Sequence, residues 1–394
     1  MLKNRHISFL TWLFSSIMLL MTAACSSSDD EGGQEGVAAK KPAMLAIYVY
    51  APEQTAAAAR QAEVTRGDVG DVNVSSAAEG EIKSLQLWIY ESESGAYVGY
   101  LDTKDGELAP LNNGEGALYQ IPVSDDFASR KPYVNVYVQA NVKAANCGVG
   151  VLNDETTHQG LMNGAKITSD YFGLGNLVTS VPDEGLPMAG KLALQPVVGD
   201  APALRVGSMS AVSTVQLTRA VSKLRFVFAK TTGQPTVSIT SIKMNAEMIP
   251  DVEYLFKTPA SMSYNTSAAS LLQNPIADIA PTADPTQYLY FNQDAQEYEN
   301  LINTAASKET PEVTVRGPIY LRESDKQLAG TITYTIDGGE PQSVGFQMQQ
   351  AGDFLRNHTW IVYAYYAGSG KLQVQTVYVK DWSTKEISHN VYNW

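Results

Sequence analysis

The residues of this chain that could do chemistry are few, and their spacing does not gather them into a catalytic set. Of four histidines, His158, His358 and His389 stand far apart, with no HExxH or i, i+4 pairing, so no zinc site is expected. There is no G-x-S-x-G elbow, Walker A loop or dinucleotide loop. Gly148-Val149-Gly150 and Gly173-Leu174-Gly175 lack the later glycines. Asp102 to Glu107 begins like a calcium loop, but Lys104 sits where an oxygen ligand belongs, so it reads as a solvated turn. Asp125-Asp126 reads as a loop pair, and Arg66-Gly67-Asp68 is too short a match to an integrin-binding tripeptide to carry weight. No enzyme activity, catalytic residue, cofactor or metal is expected. What remains is chemistry done to the chain. Arg66 precedes the loop Gly67-Asp68-Val69-Gly70-Asp71 and is open to a trypsin-like protease, with Arg60, after Ala56 to Ala59, as a competing site.

Cys25 is the other such residue. Lys3 and Arg5 followed by the apolar run Phe9 to Met21 read as an export signal over residues 1–25, too short to span a bilayer as a helix. It ends Thr22-Ala23-Ala24-Cys25, which resembles a bacterial lipobox, with Thr22 where Leu is usual. In such a site the cysteine takes a diacylglyceryl group. The alternative is a plain signal with an incidental cysteine. Ser26-Ser27-Ser28-Asp29-Asp30-Glu31 opens a flexible acidic linker over 26–42. Cys147 is then the one remaining thiol and has no His or acid beside it to activate it.

The elements that must position these sites are strands. With 394 residues and 44% hydrophobic content the chain can bury the cores of two or three domains. A net charge of -13 argues against a nucleic-acid partner, and 21 tyrosines suit pleated, half-buried surfaces. Ala43 to Tyr50 reads as a first strand, largely apolar on both faces, with Leu45, Ile47 and Val49 on one of them. An Ala-rich connector, Ala51 to Thr65, joins it to Arg66. Period-two alternation marks further strands at Ile82 to Glu91, Tyr97 to Leu101 and Tyr133 to Gln139. It places Leu85, Leu87, Ile89, Val134, Val136 and Val138 inside, and Trp88, Tyr90, Tyr133 and Tyr137 outside. Residues 147–187 read as long loops. Strands resume at Val215 to Phe228 and Val237 to Met244, the latter with a bulge between Ile239 and Ile242. After an excursion over 250–312 with one or two short helices, five more follow to Val379, with hairpin turns at Gly338-Gly339 and Gly368-Ser369-Gly370. The expected fold is all-β, two antiparallel β-sandwiches in tandem with long loops and a few short helices. The domains are 43–66 as first strand and cleavage loop, 67–213, and 214–394.

Several segments together resemble the fimbrillin family, subunits of the type V pili of Bacteroidetes. They are the lipoprotein leader, Tyr133 to Asn141, Leu186-Pro187-Met188-Ala189-Gly190, Leu217 to Leu224, Leu355 to Thr359, and Val379-Lys380-Asp381-Trp382. The resemblance implies transthyretin-like sandwiches and export as a lipoprotein anchored to the outer membrane. It also implies an Arg- or Lys-specific maturation protease, cutting here at Arg66 rather than Arg60. The freed first strand is then replaced by a segment of another subunit, a second copy or a related one. The candidate donor is Thr384 to Trp394, with Ile387, His389 and Val391 on one face and Tyr392 and Trp394 on the other; alternatively this segment completes its own sheet. The expected place is the cell surface, as precursor and then in the fimbria. Two further readings stay open: a tip or accessory subunit, and a surface lipoprotein that binds glycans through Trp88, Tyr90, Tyr133 and Tyr137.

Overall fold

The computed structural model describes residues 42–50, 76–103, 116–142, 152–168, 171–258, 261–290, 295–348, 351–352 and 354–379. The first part of the chain contributes β1 (Ala43–Tyr50), β2 (Leu85–Glu91), β3 (Tyr97–Thr103), β4 (Gly116–Val123), β5 (Val134–Ala140), β6 (Lys166–Ile167), β7 (Met188–Gln195), β8 (Val197–Asp200), β9 (Ala203–Val206), β10 (Thr214–Gln216) and β11 (Thr218–Arg219). The second contributes β12 (Ser222–Thr231), β13 (Val237–Met244), β14 (Glu253–Tyr254), β15 (Ala269–Ser270), β16 (Pro281–Thr282), β17 (Thr314–Leu321), β18 (Ala329–Ile336), β19 (Gln342–Gln347), β20 (Thr359–Tyr366) and β21 (Gln373–Val379). Among the described residues four α-helices punctuate them: α1 (Ser76–Gly80), α2 (Asp125–Arg130), α3 (His158–Gly164) and α4 (Ala295–Ala306). The protein is all-β, built as two sandwiches with long loops and short helices.

In the first sandwich one sheet runs β10-β1-β9-β8, with β4 on the other edge of β1, and the opposing sheet runs β11-β7-β5-β2-β3. Their facing side chains form one core. Leu45, Ile47 and Val49 of β1 meet Leu85, Leu87 and Ile89 of β2 and Val134, Val136 and Val138 of β5 there. In the second sandwich the sheet β16-β12-β20-β21, with β17 on β12, faces β15-β13-β18-β19 over Leu224, Phe226, Phe228, Ile239, Ile332 and Trp360. The β13 ladder shifts register between Ile239 and Ser241, the bulge its broken apolar period predicts. Chain direction is mixed: β12 runs parallel to β20 over eight residue pairs, and β1 runs parallel to both β9 and β10. The chain leaves the first sandwich at Arg219, paired to Met188, and enters the second at Ser222, paired to Leu321.

Two sheets are covered on both faces, which a period-two pattern does not show. The outer face of β12 and β20 lies under α4, where Val227, Ala229, Ile361 and Tyr363 pack on Tyr298 and Ile302. The outer face of β2 and β5 lies under residues 152–168, 171–178 and 254–256. Trp88 and Tyr90 are 0% exposed and Tyr137 is 7% exposed, so three of the four aromatics expected on the surface are inside. Their polar ends are satisfied by the covering loop. Trp88 Nε1 donates to the Asn153 carbonyl at 2.9 Å, Tyr90 Oη donates to the Thr156 carbonyl at 2.7 Å, and Tyr137 Oη lies 2.9 Å from His158 Nε2. Only Tyr133, 57% exposed, keeps its outward place, so Trp88, Tyr90 and Tyr137 do not present a surface to a glycan.

Candidate functional site

The first strand has the pattern of an inserted element. Along β1, buried and half-buried residues alternate without exception: Ala43, Leu45, Ile47 and Val49 are at most 1% exposed, while Met44, Ala46, Tyr48 and Tyr50 face outward and are half-covered. Fully burying three aliphatic side chains at ~1.5–3 kcal/mol each gives a gross gain of roughly 5–9 kcal/mol, an upper estimate because the unfolded chain is not fully extended. On one edge β1 pairs antiparallel with β4 over all eight residues, Ala43 opposite Val123 through Tyr50 opposite Gly116. On the other it pairs parallel with two short strands in succession, β9 at Met44 to Ala46 and β10 at Tyr48 to Tyr50. Ile47 lies at the break between them, where the chain turns out at Gly207 (φ 126°), a left-handed backbone that suits glycine. Met44 N–H donates to the Pro202 carbonyl at 2.8 Å and Leu217 N–H donates to the Tyr50 carbonyl at 3.0 Å, closing the ends of that edge. Close packing continues on the outer face, where a side chain at Gly116 would run into the Tyr48 ring.

Among the described residues β4 shares a ladder with β1 and with no other strand. Removing β1 would therefore open two rows of backbone donors and acceptors and expose the floor of the first core at once. A replacement strand must supply hydrogen bonds to both edges and alternating apolar side chains to the floor.

The chain re-enters the described structure at α1, and there it is fixed by a buried ionic cluster that the sequence did not announce. Lys223 Nζ lies 3.2 Å from Glu79 Oε2 and 3.5 Å from Glu299 Oε1, and Tyr320 Oη donates to Glu79 Oε1 at 2.5 Å. Arg219 Nε donates to the Glu79 carbonyl at 2.8 Å, and Arg225 Nη1 meets Glu299 at 3.2 Å. Burial and the adjoining Glu79 carboxylate push the Tyr320 hydroxyl well above its ordinary range. Burial alone would raise Glu299, but Lys223 and Arg225 outweigh it and hold its carboxyl below the usual range. Burial lowers the Arg219 guanidinium to about 10. The cluster joins α1 to the second sandwich, so the segment downstream of residue 75 is anchored independently of β1. A single Glu in Ala77-Ala78-Glu79 carries no pattern; only the fold brings Lys223, Glu299 and Tyr320 to it.

Of the residues singled out from sequence, Leu45, Ile47 and Val49 are together on the inner face of β1. Cys25, Arg60, Arg66, Cys147 and the donor residues Ile387, His389, Val391, Tyr392 and Trp394 lie outside the described residues. Among the described residues no group of three His, Cys, Asp or Glu is placed to hold a metal ion, and no helix is long and apolar enough to cross a membrane. His158 packs on Tyr90 and Tyr137, half-buried, and burial lowers its pKa, so it serves as a packing side chain over those rings.

No protein-family model and no curated protein matches the chain. Solved structures do. The tip fimbrial protein Mfa3 from Porphyromonas gingivalis, with a C-terminal truncation, is 11% identical, with 87% of this chain and 100% of that one covered and a TM-score of 0.47. A candidate cell adhesion protein from Parabacteroides distasonis is 14% identical, covering 86% and 98%, at a TM-score of 0.44. A fimbrial assembly protein from the same species is 13% identical, covering 86% and 99%, at 0.40. These three are described as fimbrial or cell-adhesion proteins, and a structure described as a polysaccharide-binding protein, from Bacteroides thetaiotaomicron, is similar too, at 9% identity, 86% and 98% coverage and a TM-score of 0.39.

Proposed function

We propose that this chain is a structural subunit of a cell-surface fimbria with a role in adhesion. It is exported as a precursor lipidated at Cys25 and anchored in the outer membrane. A protease cuts after Arg66, with Arg60 as the second site, and frees β1. A strand of another subunit then takes the place of β1, and residues 384–394 are what this chain offers in turn. The observation that carries this reading is the setting of β1. It is held on both edges by backbone ladders and on one face by the core, and among the described residues it is the strand that pairs β4 to its sheet. That is the geometry of an element whose removal creates an acceptor for a strand, rather than of a catalytic or ligand-binding cleft.

The test is proteolysis of the full chain with an arginine-specific protease, followed by N-terminal sequencing and native electrophoresis. The expected product begins at Gly67 and forms a ladder of oligomers. Trimmed protein that stays monomeric at high concentration overturns the proposal. Arg66→Ala is expected to fold as a monomer and yield no fibre; wild-type fibre yield from that variant would remove Arg66 from its role.

A further inference from the structure

The joint between the two sandwiches is buried and has fasteners of its own. Ala220 and Val221 alone separate β11 from β12, and both are 0% exposed, so the crossing is not an open linker. Two domains in one chain move relative to each other unless the interface between them is large and apolar. Here they share a core: Leu161, Ile167 and Phe172, from the cover of the first sandwich, pack with Leu255, Phe256 and Tyr320 from the second part of the chain. Backbone pairing crosses the joint as well. β6 pairs antiparallel with β14, Ile167 opposite Glu253 and Lys166 opposite Tyr254, and Leu255 N–H donates to the Ala165 carbonyl at 2.9 Å. β17 has β12 on one edge. On its other side Tyr320 N–H donates to the Val178 carbonyl and Arg322 N–H to the Phe172 carbonyl, each at 2.8 Å.

Arg322 stands where these contacts meet. It follows directly on the end of β17 and is 2% exposed. Its Nε donates to the Pro250 carbonyl at 2.8 Å, and its Nη1 donates to the Tyr171 carbonyl at 2.6 Å and to the Thr168 carbonyl. Thr168 and Tyr171 belong to the cover of the first sandwich, and Pro250 to the loop that leads into β14. One planar fork thus ties backbone from both parts of the chain, which lysine, a point charge on a flexible stem, does not reproduce. The fit is close, for a side chain at Gly173 would run into the guanidinium. Burying a guanidinium is costly unless hydrogen bonds offset the loss of water. What it adds at this place is fixed geometry rather than apolar area.

We infer that Arg322 locks the two sandwiches into one rigid unit, so that a pull on one reaches the other through the β17 edge and the carbonyls around Arg322, and not through Ala220-Val221 alone. Arg322 is a positioning residue. It holds the angle between the sandwiches and the cover of the first against the second. In a fibre, the setting proposed above, this gives a subunit of fixed length under tension. The lock itself belongs to the single intact chain and stands or falls without that setting.

The test is scanning calorimetry and small-angle X-ray scattering on the intact chain. Wild type is expected to melt in one transition whose calorimetric and van't Hoff enthalpies agree. Arg322→Met keeps a long side chain and removes the fork. It is expected to split the melt in two, with the lower transition shifted down by roughly 5–10 °C for three stranded carbonyls, and to broaden the distances seen by scattering. Arg322→Lys should not rescue the single transition. Gly173→Ala leaves Arg322 in place but pushes the cover off it, and should split the melt to a lesser degree. Arg130→Met, which removes exposed ion pairs with Glu91 and Asp126, should leave one transition. Two transitions in wild type overturn the inference. So does one transition with unchanged scattering in whichever of Arg322→Met and Gly173→Ala folds. Neither result bears on the exchange of β1, which is scored by oligomers of the trimmed chain.

Discussion

Ile47→Ala is the sharpest probe of how β1 is held. Ile47 is 0% exposed, in the middle of the strand, and part of the core shared with the facing sheet. Truncation removes three carbon atoms and leaves a cavity under a sheet pinned by ladders on both edges, so the surroundings can close only partly. Measured costs of such changes run ~2–5 kcal/mol. Ile47 also lies at the break between β9 and β10, where one neighbouring segment is loop and can relax, which places the expected cost near ~3 kcal/mol. Against a total stability on the order of 5–15 kcal/mol this is a large fraction. The assay is urea unfolding of the intact chain followed by far-UV circular dichroism, with Ala46→Ser as the outward-facing control, expected within ~0.5 kcal/mol of wild type. Equal costs at 46 and 47, or no cost at 47, would refute the inward assignment of Leu45, Ile47 and Val49. Once β1 has been cut out, wild type and Ile47→Ala are expected to be indistinguishable.

Other substitutions test the rest of the framework. Glu79→Gln deprives Lys223 and Tyr320 of a buried carboxylate and is expected to cost ~3 kcal/mol in thermal unfolding, since breaking one side of a buried pair leaves a charge behind. Adding Lys223→Met should recover part of that loss, and additive losses would refute the pairing. Burial raises the Glu253 carboxyl to about 8 against the pull of Arg356, 3.0 Å away. The native state thus keeps this proton to higher pH than the unfolded chain, so its contribution is complete below the ordinary carboxyl range and is lost as pH rises toward 8. Glu253→Gln should therefore gain on wild type in melting temperature between pH 5 and pH 9, and a difference that stays constant or moves the other way over that range contradicts this.

What could be read from sequence depended on how far apart the causes lie. β1 carries its burial in strict alternation, and the β13 bulge shows as a broken period at Ile239 to Ile242, so local pattern sufficed. Trp88, Tyr90 and Tyr137 were misplaced because alternation says which residues share a face, not whether a loop from residues 152–178 covers it. β9 and β10 were invisible as partners of β1 because Ala203 to Arg205 and Thr214 to Gln216 are short, and parallel pairing across more than 150 residues leaves no local mark. β20 reads as one continuous apolar run, Thr359 to Tyr366, since both its faces are buried.

The attachment of β4 to its sheet through β1 bears on the order of events when one strand gives way to another. With the central position empty, β4 would be left holding its sheet by side chains alone, while two rows of amides waited for water. Such a state has a short life and invites association with the wrong chain. In the exchange proposed above, the departing and arriving strands are therefore expected to overlap in time, the newcomer pairing at one end while the old one peels from the other. The rate of replacement should then depend on the concentration of the newcomer without saturating at the rate of spontaneous release. On that reading the sheet is never fully open, and a subunit trimmed in isolation is expected to keep its cut strand until a successor is at hand.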